Sequence, residues 1–376
     1  MKIKLSDHFT YGRLLRFTLP SVVMMVIASI YSVVDGLFVS NLVGDMALSA
    51  VNIIFPVAMI IGAFGFMLGT GGSAIVARTL GEGRRELAQR YFSMIIYAVI
   101  LLGGVLTVVS VWLTEPIARR AGASDALIRD CVVYGRILLL GSVPFMLQVC
   151  FQSFFVVAER PQLGLAYSIA AGVTNMVLDY VFIVPLGMGI AGAALATAIG
   201  YCIPALGGLW FFSRNRSGLR FIRPRWDFTV LLKSCANGAS EMVTNLASSI
   251  ITVIFNLILM AWIGTDGVAA ITVIMYAQFL MVAFFMGFSI GVAPVFGFHY
   301  GAGNHQYLLH IRDHCIRFVL GASVVVCVVS SLSSGLIAVI FTPEGSLTAQ
   351  LVNRGMRLFS LSFLFAGYNI FASALF

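Results

Sequence analysis

The feature that most restricts the fold is a series of apolar runs, each about 20 residues or longer, that recur along nearly the whole chain. A helix rises about 1.5 Å per residue, so runs of this length match the apolar thickness of a bilayer. Hydrophobic residues make up 60% of the sequence and charged residues only 10%. The chain is therefore predicted to be an all-α polytopic membrane protein of ten spans, near residues 17–41, 51–77, 91–113, 131–157, 162–185, 189–213, 229–263, 268–297, 315–341 and 351–376.

Basic residues are unevenly divided between the predicted loops. If the N-terminus is cytoplasmic, seventeen of the 23 Lys and Arg residues lie on the inner side and six on the outer side. This asymmetry predicts a multi-pass protein of the inner (plasma) membrane with its N-terminus in the cytoplasm. The net charge of +8 is then explained by orientation and by contact with anionic membrane lipids, so no nucleic-acid partner is expected.

Neither a metal nor a cofactor is expected from the motifs. The six cysteines are scattered, mostly within spans, and show no paired spacing. His310 and His314 have a spacing that could grip a metal, but a solvated loop position is favoured over a metal site. The GEG of residues 81–83 and the GAG of residues 301–303 do not follow strands, so they are interpreted as helix-ending turns rather than nucleotide-binding loops.

The sequence resembles itself at an offset of 220 residues. Each copy holds six spans, and an even number means that both copies enter the membrane from the same side. The prediction is therefore two pseudo-symmetric six-helix lobes, residues 1–213 and 229–376, joined by a cytoplasmic connector at 214–228. Identities at this offset include Gly71 with Gly291, Gly81 with Gly301, Gly135 with Gly355, Phe151 with Phe371 and Ser153 with Ser373.

The second copy stops at Phe376, inside the counterpart of its fourth span. The second lobe is therefore expected to contain four of its six helices, which gives about ten helices in place of twelve.

Three of the fifteen acidic residues lie well within spans, namely Asp35, Asp179 and Glu241, and each costs about 2.5–3.5 kcal/mol to insert. Asp35 and Asp179 each precede the outer end of their span by about seven residues, which places both roughly 10 Å below the outer interface. Asn175 lies one helical turn from Asp179, and Thr197 of the next span supplies a hydroxyl near the same depth. We expect these four side chains to form one site.

Two carboxylates, an amide and a hydroxyl without an intramembrane Lys or Arg require a cation. A proton could be held because desolvation and like charge disfavour two ionised carboxylates, or a sodium ion could be coordinated by the oxygens. The alternative is that Asp35 and Asp179 line a water-filled outer vestibule. Glu241 is either a second proton or substrate site or a residue that snorkels to the inner edge. Pro20 is either a bend within the first span or a helix-start proline.

Three stretches resemble the bacterial multidrug and toxic compound extrusion (MATE) transporters. They read LPSVVMMVIASIYSVVDGLFVSNLVG, ARTLGEGRRELAQ and TNMVLDYVFIVPLGMGIAGAALATAIGY. The resemblance covers essentially the whole chain and is strongest in the first lobe. It implies a twelve-helix, two-lobe antiporter that exports organic cations in exchange for H⁺ or Na⁺ by alternating access.

The resemblance also implies roles for particular residues. The family's cation site matches Asp35, Asn175, Asp179 and Thr197, its bending proline matches Pro20, and a tyrosine near the site matches Tyr134. Glu241 is similar to the acid that some members use in span 7. Span 10 reads SLSFLFAGYNIFASALF and has no acid, so a second-lobe ion site is in doubt.

The function expected from the sequence is a cation-coupled exporter that works as a monomer on small organic cations and contacts membrane lipids. A flippase for lipid-linked oligosaccharides is an alternative, but it would need a cationic cavity at mid-membrane depth. A non-transporting receptor or a membrane enzyme is a further alternative. No enzyme motif is present in the sequence, so an enzyme is not expected.

Overall fold

The computed structural model describes residues 3–43, 45–121, 123, 125, 127–215, 218–342 and 345–375, and all regular elements within them are helical. Phe376, at which the second copy stops, and residues 216 and 217 of the predicted connector lie outside the described residues. The helices are α1 (Tyr11–Leu42), α2 (Asp45–Gly81), α3 (Arg85–Trp112), α4 (Thr114–Arg120), α5 (Ile128–Leu140), α6 (Ser142–Val157), α7 (Pro161–Ile183), α8 (Gly189–Arg214), α9 (Phe228–Trp262), α10 (Thr265–Gly301), α11 (His305–Leu332), α12 (Ser334–Phe341), α13 (Leu347–Phe359) and α14 (Phe363–Leu375), with a 3₁₀ turn at Ser360–Ser362.

The helices have the length and composition of membrane spans. In the described part of the chain, eight helical stretches are long and apolar enough to cross a bilayer, with α13, the 3₁₀ turn and α14 counted as one stretch. The number is nine if the bent pair α5 and α6 also counts as one span. Helix α9 occupies the remaining predicted span with 35 residues, although several of its side chains are not described. The prediction of an all-α, multi-pass membrane protein is confirmed.

The fourth predicted span crosses as two helices instead of one. Helices α5 and α6 meet at Gly141 with a bend of 50°. Pro144 lies in the first turn of α6 and has no N–H to donate to the carbonyl of Leu140, so the helical hydrogen bonding is interrupted there.

The two halves of the chain repeat the same succession of helices. Adding 220 to the bounds of α2 gives the bounds of α10, and adding it to the bounds of α3 gives those of α11. The short helices α4 and α12 also begin 220 residues apart, directly after the third helix of each half. The prediction of pseudo-symmetric parallel repeats is confirmed.

The C-terminal ends of α2 and α10 cross each other in a reciprocal contact. A Cβ on Gly81 would overlap the carbonyl oxygen of Phe298, and a Cβ on Gly301 would overlap that of Arg78. Residues 78 and 298, like 81 and 301, are 220 apart, so the contact follows the pseudo-two-fold symmetry. Only glycine lets the two backbones approach this closely.

The same close approach recurs where α2 meets α9. A Cβ on Gly71 would overlap the carbonyl oxygen of Ser234, and a Cβ on Gly238 would overlap that of Met67. Together the two crossings hold the halves of the protein against each other on the side predicted to face the cytoplasm.

The segment before α1 bridges the two halves of the protein. Leu5 and Phe9 are buried. The Leu5 amide donates to Glu159 Oε1 at 2.8 Å in the first half, and the Phe9 main chain hydrogen-bonds to the Tyr307 hydroxyl in the second half. The ring of His8 packs edge-on against Tyr307 with centroids 4.7 Å apart.

Helix α1 begins at Tyr11, so Pro20 lies inside it rather than at its start. The interpretation of Pro20 as a helix-start proline is therefore wrong. The first half of α1 packs with the second half of the chain, because Leu14, Phe17 and Val22 belong to the same buried cluster as residues of α10 and α11.

Candidate cation-binding site

Small residues bring the three helices of the predicted site together. At Gly172 of α7, an added Cβ would lie 3.2 Å from Cδ1 of Tyr31, so the missing side chain lets α1 pack closely on α7. At Gly200 of α8, an added Cβ would lie 3.4 Å from the Cβ of Asn175. Tyr31 lies one turn from Asp35, so the tight contact at Gly172 sets the spacing between Asp35 and α7, whereas the contact at Gly200 is ordinary packing beside Asn175.

The structure brings Asp35, Asn175, Asp179 and Thr197 into one cluster. The carboxylates of Asp35 and Asp179 lie close enough to interact directly, and Asp35 also lies beside the Asn175 amide. Asn175 Nδ2 donates to Thr197 Oγ1 at 3.4 Å, and that hydroxyl donates to the Ala193 carbonyl at 3.0 Å. The Asn175 amide nitrogen is thereby turned toward α8.

Four oxygens of this cluster are buried without a hydrogen-bond donor among the described residues. They are Asp35 Oδ1, Asn175 Oδ1, Asp179 Oδ1 and Asp179 Oδ2. Asp179 is fully buried and Asn175 nearly so, at 0% and 3% exposure. Buried acceptors are normally satisfied, so oxygens left open in this way indicate a group that supplies positive charge or a proton.

No basic residue compensates the two carboxylates in the described part of the chain. The ion pairs found there involve other acids, with Arg13, Arg78, Arg84, Arg90, Arg119 and Arg312 as their basic partners. Two adjacent carboxylates in a low-dielectric interior repel each other unless a cation neutralises them. The arrangement can hold a proton or a hard cation such as Na⁺.

Aromatic and amide side chains enclose the cluster. Tyr134 of α5 is buried and lies within electrostatic reach of both aspartates. Tyr201 of α8 lies near Asp35 and stacks on Phe145, with ring centroids 4.6 Å apart. Tyr31 lies beside the side-chain amide of Gln148 on α6.

Sequence reasoning identified Tyr134 through the family resemblance but missed Tyr31, Tyr201 and Gln148. The signal was present for two of them. Tyr31 precedes Asp35 by four residues and Tyr201 follows Thr197 by four, so each lies on the helix face that carries a site residue. Gln148 could not be placed, because the break at Gly141 changes the face that α6 presents.

Glu241 lies in a different place from the Asp35 cluster. It is buried, with 8% exposure, and lines a cavity of about 90 Å³ between the two halves. The other polar residues that line this cavity are Thr70, Ser73, Ser153, Asn237, Ser289 and Ser373.

The cavity beside Glu241 lies near the pseudo-two-fold axis. Ser153 and Ser373, which both line it, are 220 residues apart, as are Ser73 and Ala293. Glu241 itself breaks the symmetry, because its counterpart in the first half is Ser21. Asp35 likewise corresponds to Phe255, so the two halves share a scaffold but not their acidic residues.

His310 and His314 lie on adjacent turns of α11 with ring centroids 4.3 Å apart. His310 is exposed and His314 is half-buried, and His314 Nδ1 contacts the His310 carbonyl at 2.8 Å. Within the described residues, no group of three or more His, Cys, Asp and Glu side chains could hold a metal ion.

One known protein family matches most of the chain. The family described as MatE matches residues 20–181 and 241–376, which is well over half of the chain. The chain belongs to the MatE family. The matched stretches of this MATE transporter include Asp35, Asn175, Asp179 and Glu241, whereas Thr197 lies between them.

Similar proteins include multidrug export protein MepA of Staphylococcus saprophyticus, which is 22% identical over 368 residues covering 94% of this chain and 80% of MepA. MepA of Staphylococcus aureus is 22% identical over 86% of this chain and 72% of its own. Among solved structures, an outward-facing multidrug resistance MATE transporter of the MOP superfamily has a TM-score of 0.90 and 23% identity, over 98% of this chain and 83% of its own. A MATE crystal structure in complex with MaD3S has a TM-score of 0.89 at the same identity and coverage. These structural matches confirm the fold.

Proposed function

We propose that this transporter exports small organic cations, drugs among them, in exchange for H⁺ or Na⁺ bound at Asp35, Asn175, Asp179 and Thr197. The observation that carries the proposal is the set of four buried oxygens without donors, two of them on Asp179. A coupling cation would neutralise the adjacent carboxylates of Asp35 and Asp179. The names of the similar proteins support export of drugs as the activity.

The mechanism follows from which helices supply the ligands. Asp35 is on α1, whereas Asn175 and Asp179 are on α7 and Thr197 is on α8. A cation that enters from outside would draw α1 toward α7, and the interior position of Pro20 gives α1 a point without a main-chain donor at which it can bend. Ion and substrate would then stabilise different conformations, and this linkage makes them compete.

The polar cavity beside Glu241 supports a cationic substrate over a lipid pyrophosphate. Its lining includes one carboxylate, hydroxyls and an amide, and none of its lining residues is basic. A flippase for lipid-linked oligosaccharides would need the opposite charge. We propose that Glu241 contacts the substrate or a second proton there, and that the protein lies in the inner membrane with its N-terminus in the cytoplasm.

Transport in liposomes tests the proposed function. The purified protein is reconstituted, and uptake of a cationic fluorescent dye is driven by an outward proton gradient or an outward sodium gradient. We expect one of the two gradients to drive uptake, and the Asp35→Asn variant to lose it by at least about fivefold, the low end of typical coupling free energies.

The matched control is Asp313→Asn, because Asp313 is an exposed carboxylate that pairs with Arg312. It should transport as well as the unmodified protein. Equal dye uptake by the Asp35→Asn variant and the unmodified protein, under both gradients, would refute the role of Asp35.

A further inference from the structure

A second hollow lies at the opposite end of the protein from the aspartate cluster, between the start of α3 and the chain that links α8 to α9. Its volume is about 620 Å³, within the range of small-molecule sites. The residues that line it are Arg85, Glu86, Gln89, Arg90, Gly218, Arg220, Ile222 and Arg223. Four arginines against one glutamate make this concave surface basic.

The linking chain is held firmly on α3, so the hollow has a fixed shape. Gln89 Nε2 donates to the Gly218 carbonyl at 2.9 Å, and the Ile222 amide donates to Ser93 Oγ at 3.0 Å. The ring of Phe221 stacks on Phe92 with centroids 5.0 Å apart. These contacts place Arg220 and Arg223 at the rim, facing the first turns of α3.

The positive charge of the hollow is only partly neutralised. Arg90 pairs with Glu86 at 2.7 Å, which uses the one acid in the lining. Arg220 and Arg223 are exposed and have no ion-pair partner among the described residues. The N-cap residue of α3, Arg84, makes no side-chain cap hydrogen bond, so main-chain N–H groups of the first turn add to the attraction for an anion.

The hollow lies at the level of the membrane surface. Helix α3 begins there and α8 ends there, and both are apolar enough to span a membrane. Trp210, Trp226 and Phe228 flank this level with exposures of 58%, 49% and 80%, and Trp side chains are enriched at the boundary between lipid and water. Arg214 lies over the Trp210 ring, with its Cζ 5.5 Å from the centroid.

We propose that this hollow binds the phosphate-bearing head group of an anionic phospholipid. Arginine suits a phosphate because its planar guanidinium donates two parallel hydrogen bonds, and basic pockets between membrane helices are suited to such head groups. The lipid's acyl chains would lie beside the exposed aromatic residues. A bound lipid would add a further link between α3 and the chain that joins α8 to α9.

Native mass spectrometry of the purified protein tests this proposal with four probes, namely cardiolipin, phosphatidylglycerol, phosphatidylcholine and inorganic pyrophosphate. We expect cardiolipin and phosphatidylglycerol to bind and phosphatidylcholine to bind far more weakly. Each arginine near a membrane surface changes lipid affinity about fivefold, so the double variant Arg220→Gln/Arg223→Gln should bind cardiolipin about 30-fold more weakly.

The matched control is Arg225→Gln, which removes one exposed charge from the same segment but does not line the hollow. Its cardiolipin affinity should change less than that of the single variant Arg223→Gln. Equal losses in these two variants, or no loss in the double variant, would overturn the site. Pyrophosphate binding as tight as cardiolipin binding would overturn the lipid as the source of the phosphate. The thermal unfolding of each variant is measured alongside, and we expect it to equal that of the unmodified protein because the changed side chains are exposed.

Discussion

Gly81 and Gly301 occupy equivalent positions in the two halves, and each lies against the main-chain carbonyl of the helix opposite. The contact closes the interface between α2 and α10 where both helices end. Residues Gly83 and Gly303, which follow it, have positive φ angles of 77° and 74° and form the turns that the sequence predicted.

Replacing Gly301 by Ala should force α2 and α10 apart, because the new methyl group meets the Arg78 carbonyl rather than a mobile side chain. Overpacking of this kind costs about 1–3 kcal/mol, which thermal unfolding in detergent would detect. Gly81→Ala should behave alike by symmetry. Gly104→Ala is the control, since nothing lies within 4 Å of its Cβ position in α3. A variant at Gly301 as stable as the control would show that the ends of α2 and α10 separate freely.

Replacing Asp179 by Asn should stabilise the protein when no coupling ion is bound. The change removes the negative charge of Asp179, which lies next to the carboxylate of Asp35. Both carboxylate oxygens of Asp179 lack a hydrogen-bond donor. A buried unsatisfied polar group costs about 1–3 kcal/mol, which sets the size of the expected gain in thermal unfolding. Asp266→Asn is the matched control, because Asp266 Oδ1 accepts from Thr348 Oγ1 at 2.6 Å, and it should be neutral or destabilising. A loss of stability in Asp179→Asn would mean that its ionised form has a favourable partner.

Replacing Gly172 by Val should weaken ion binding while leaving all four ligands in place. A Cβ at position 172 would already lie 3.2 Å from Cδ1 of Tyr31, and the methyl groups of valine would come closer still. We therefore expect α1 to move away from α7 and to carry Asp35 with it. Isothermal titration with the coupling ion, or transport driven by its gradient, would measure the loss of ion affinity. Gly200→Ala should be tolerated, because its Cβ would meet Asn175 at 3.4 Å, an ordinary packing distance. Unchanged ion affinity in Gly172→Val would show that the α1–α7 spacing does not set the site.

Replacing Tyr307 by Phe should loosen the segment before α1. The variant keeps the ring that packs on His8 but removes the hydroxyl that hydrogen-bonds to Phe9. A hydrogen bond contributes about 1 kcal/mol, so amide hydrogen exchange in residues 5–10 should accelerate about fivefold. Tyr300→Phe serves as the control, because its ring contacts Arg78 at a distance from this segment. Equal exchange in both variants would indicate that the buried Leu5 and Phe9 side chains hold the segment alone.

Much of the fold could be predicted from the sequence, because membrane insertion leaves few choices. Apolar length located the spans, and the even number of spans per repeat fixed their parallel relation. Two spans that cross in the same direction carry residues to comparable depth, which is why Asp35 and Asp179 were expected to meet. Pro144 visibly lacks a main-chain N–H in the sequence, but the bend between α5 and α6 was not predicted.

Other features depend on contacts that no local pattern encodes. The hydrogen bond between Phe9 and Tyr307 joins residues almost 300 positions apart, and no periodicity reports such a pair. The identity of Gly81 with Gly301 was visible, but its reason was not, since a glycine conserved between repeats is equally consistent with a turn. The hollow at Arg220 and Arg223 required knowledge of how the linking chain docks on α3.

The bridge formed by residues 3–10 has a practical consequence for work on this protein. Glu159 and Tyr307 grip this segment from opposite halves, so a rocking motion that separates them must detach at least one end. An affinity tag or fluorescent fusion placed directly ahead of Ile3 would end two residues from Leu5, so we expect it to weaken the hydrogen bond to Glu159. Fusions are better inserted at an exposed loop elsewhere, and kinetic comparisons should be made without an addition ahead of Ile3.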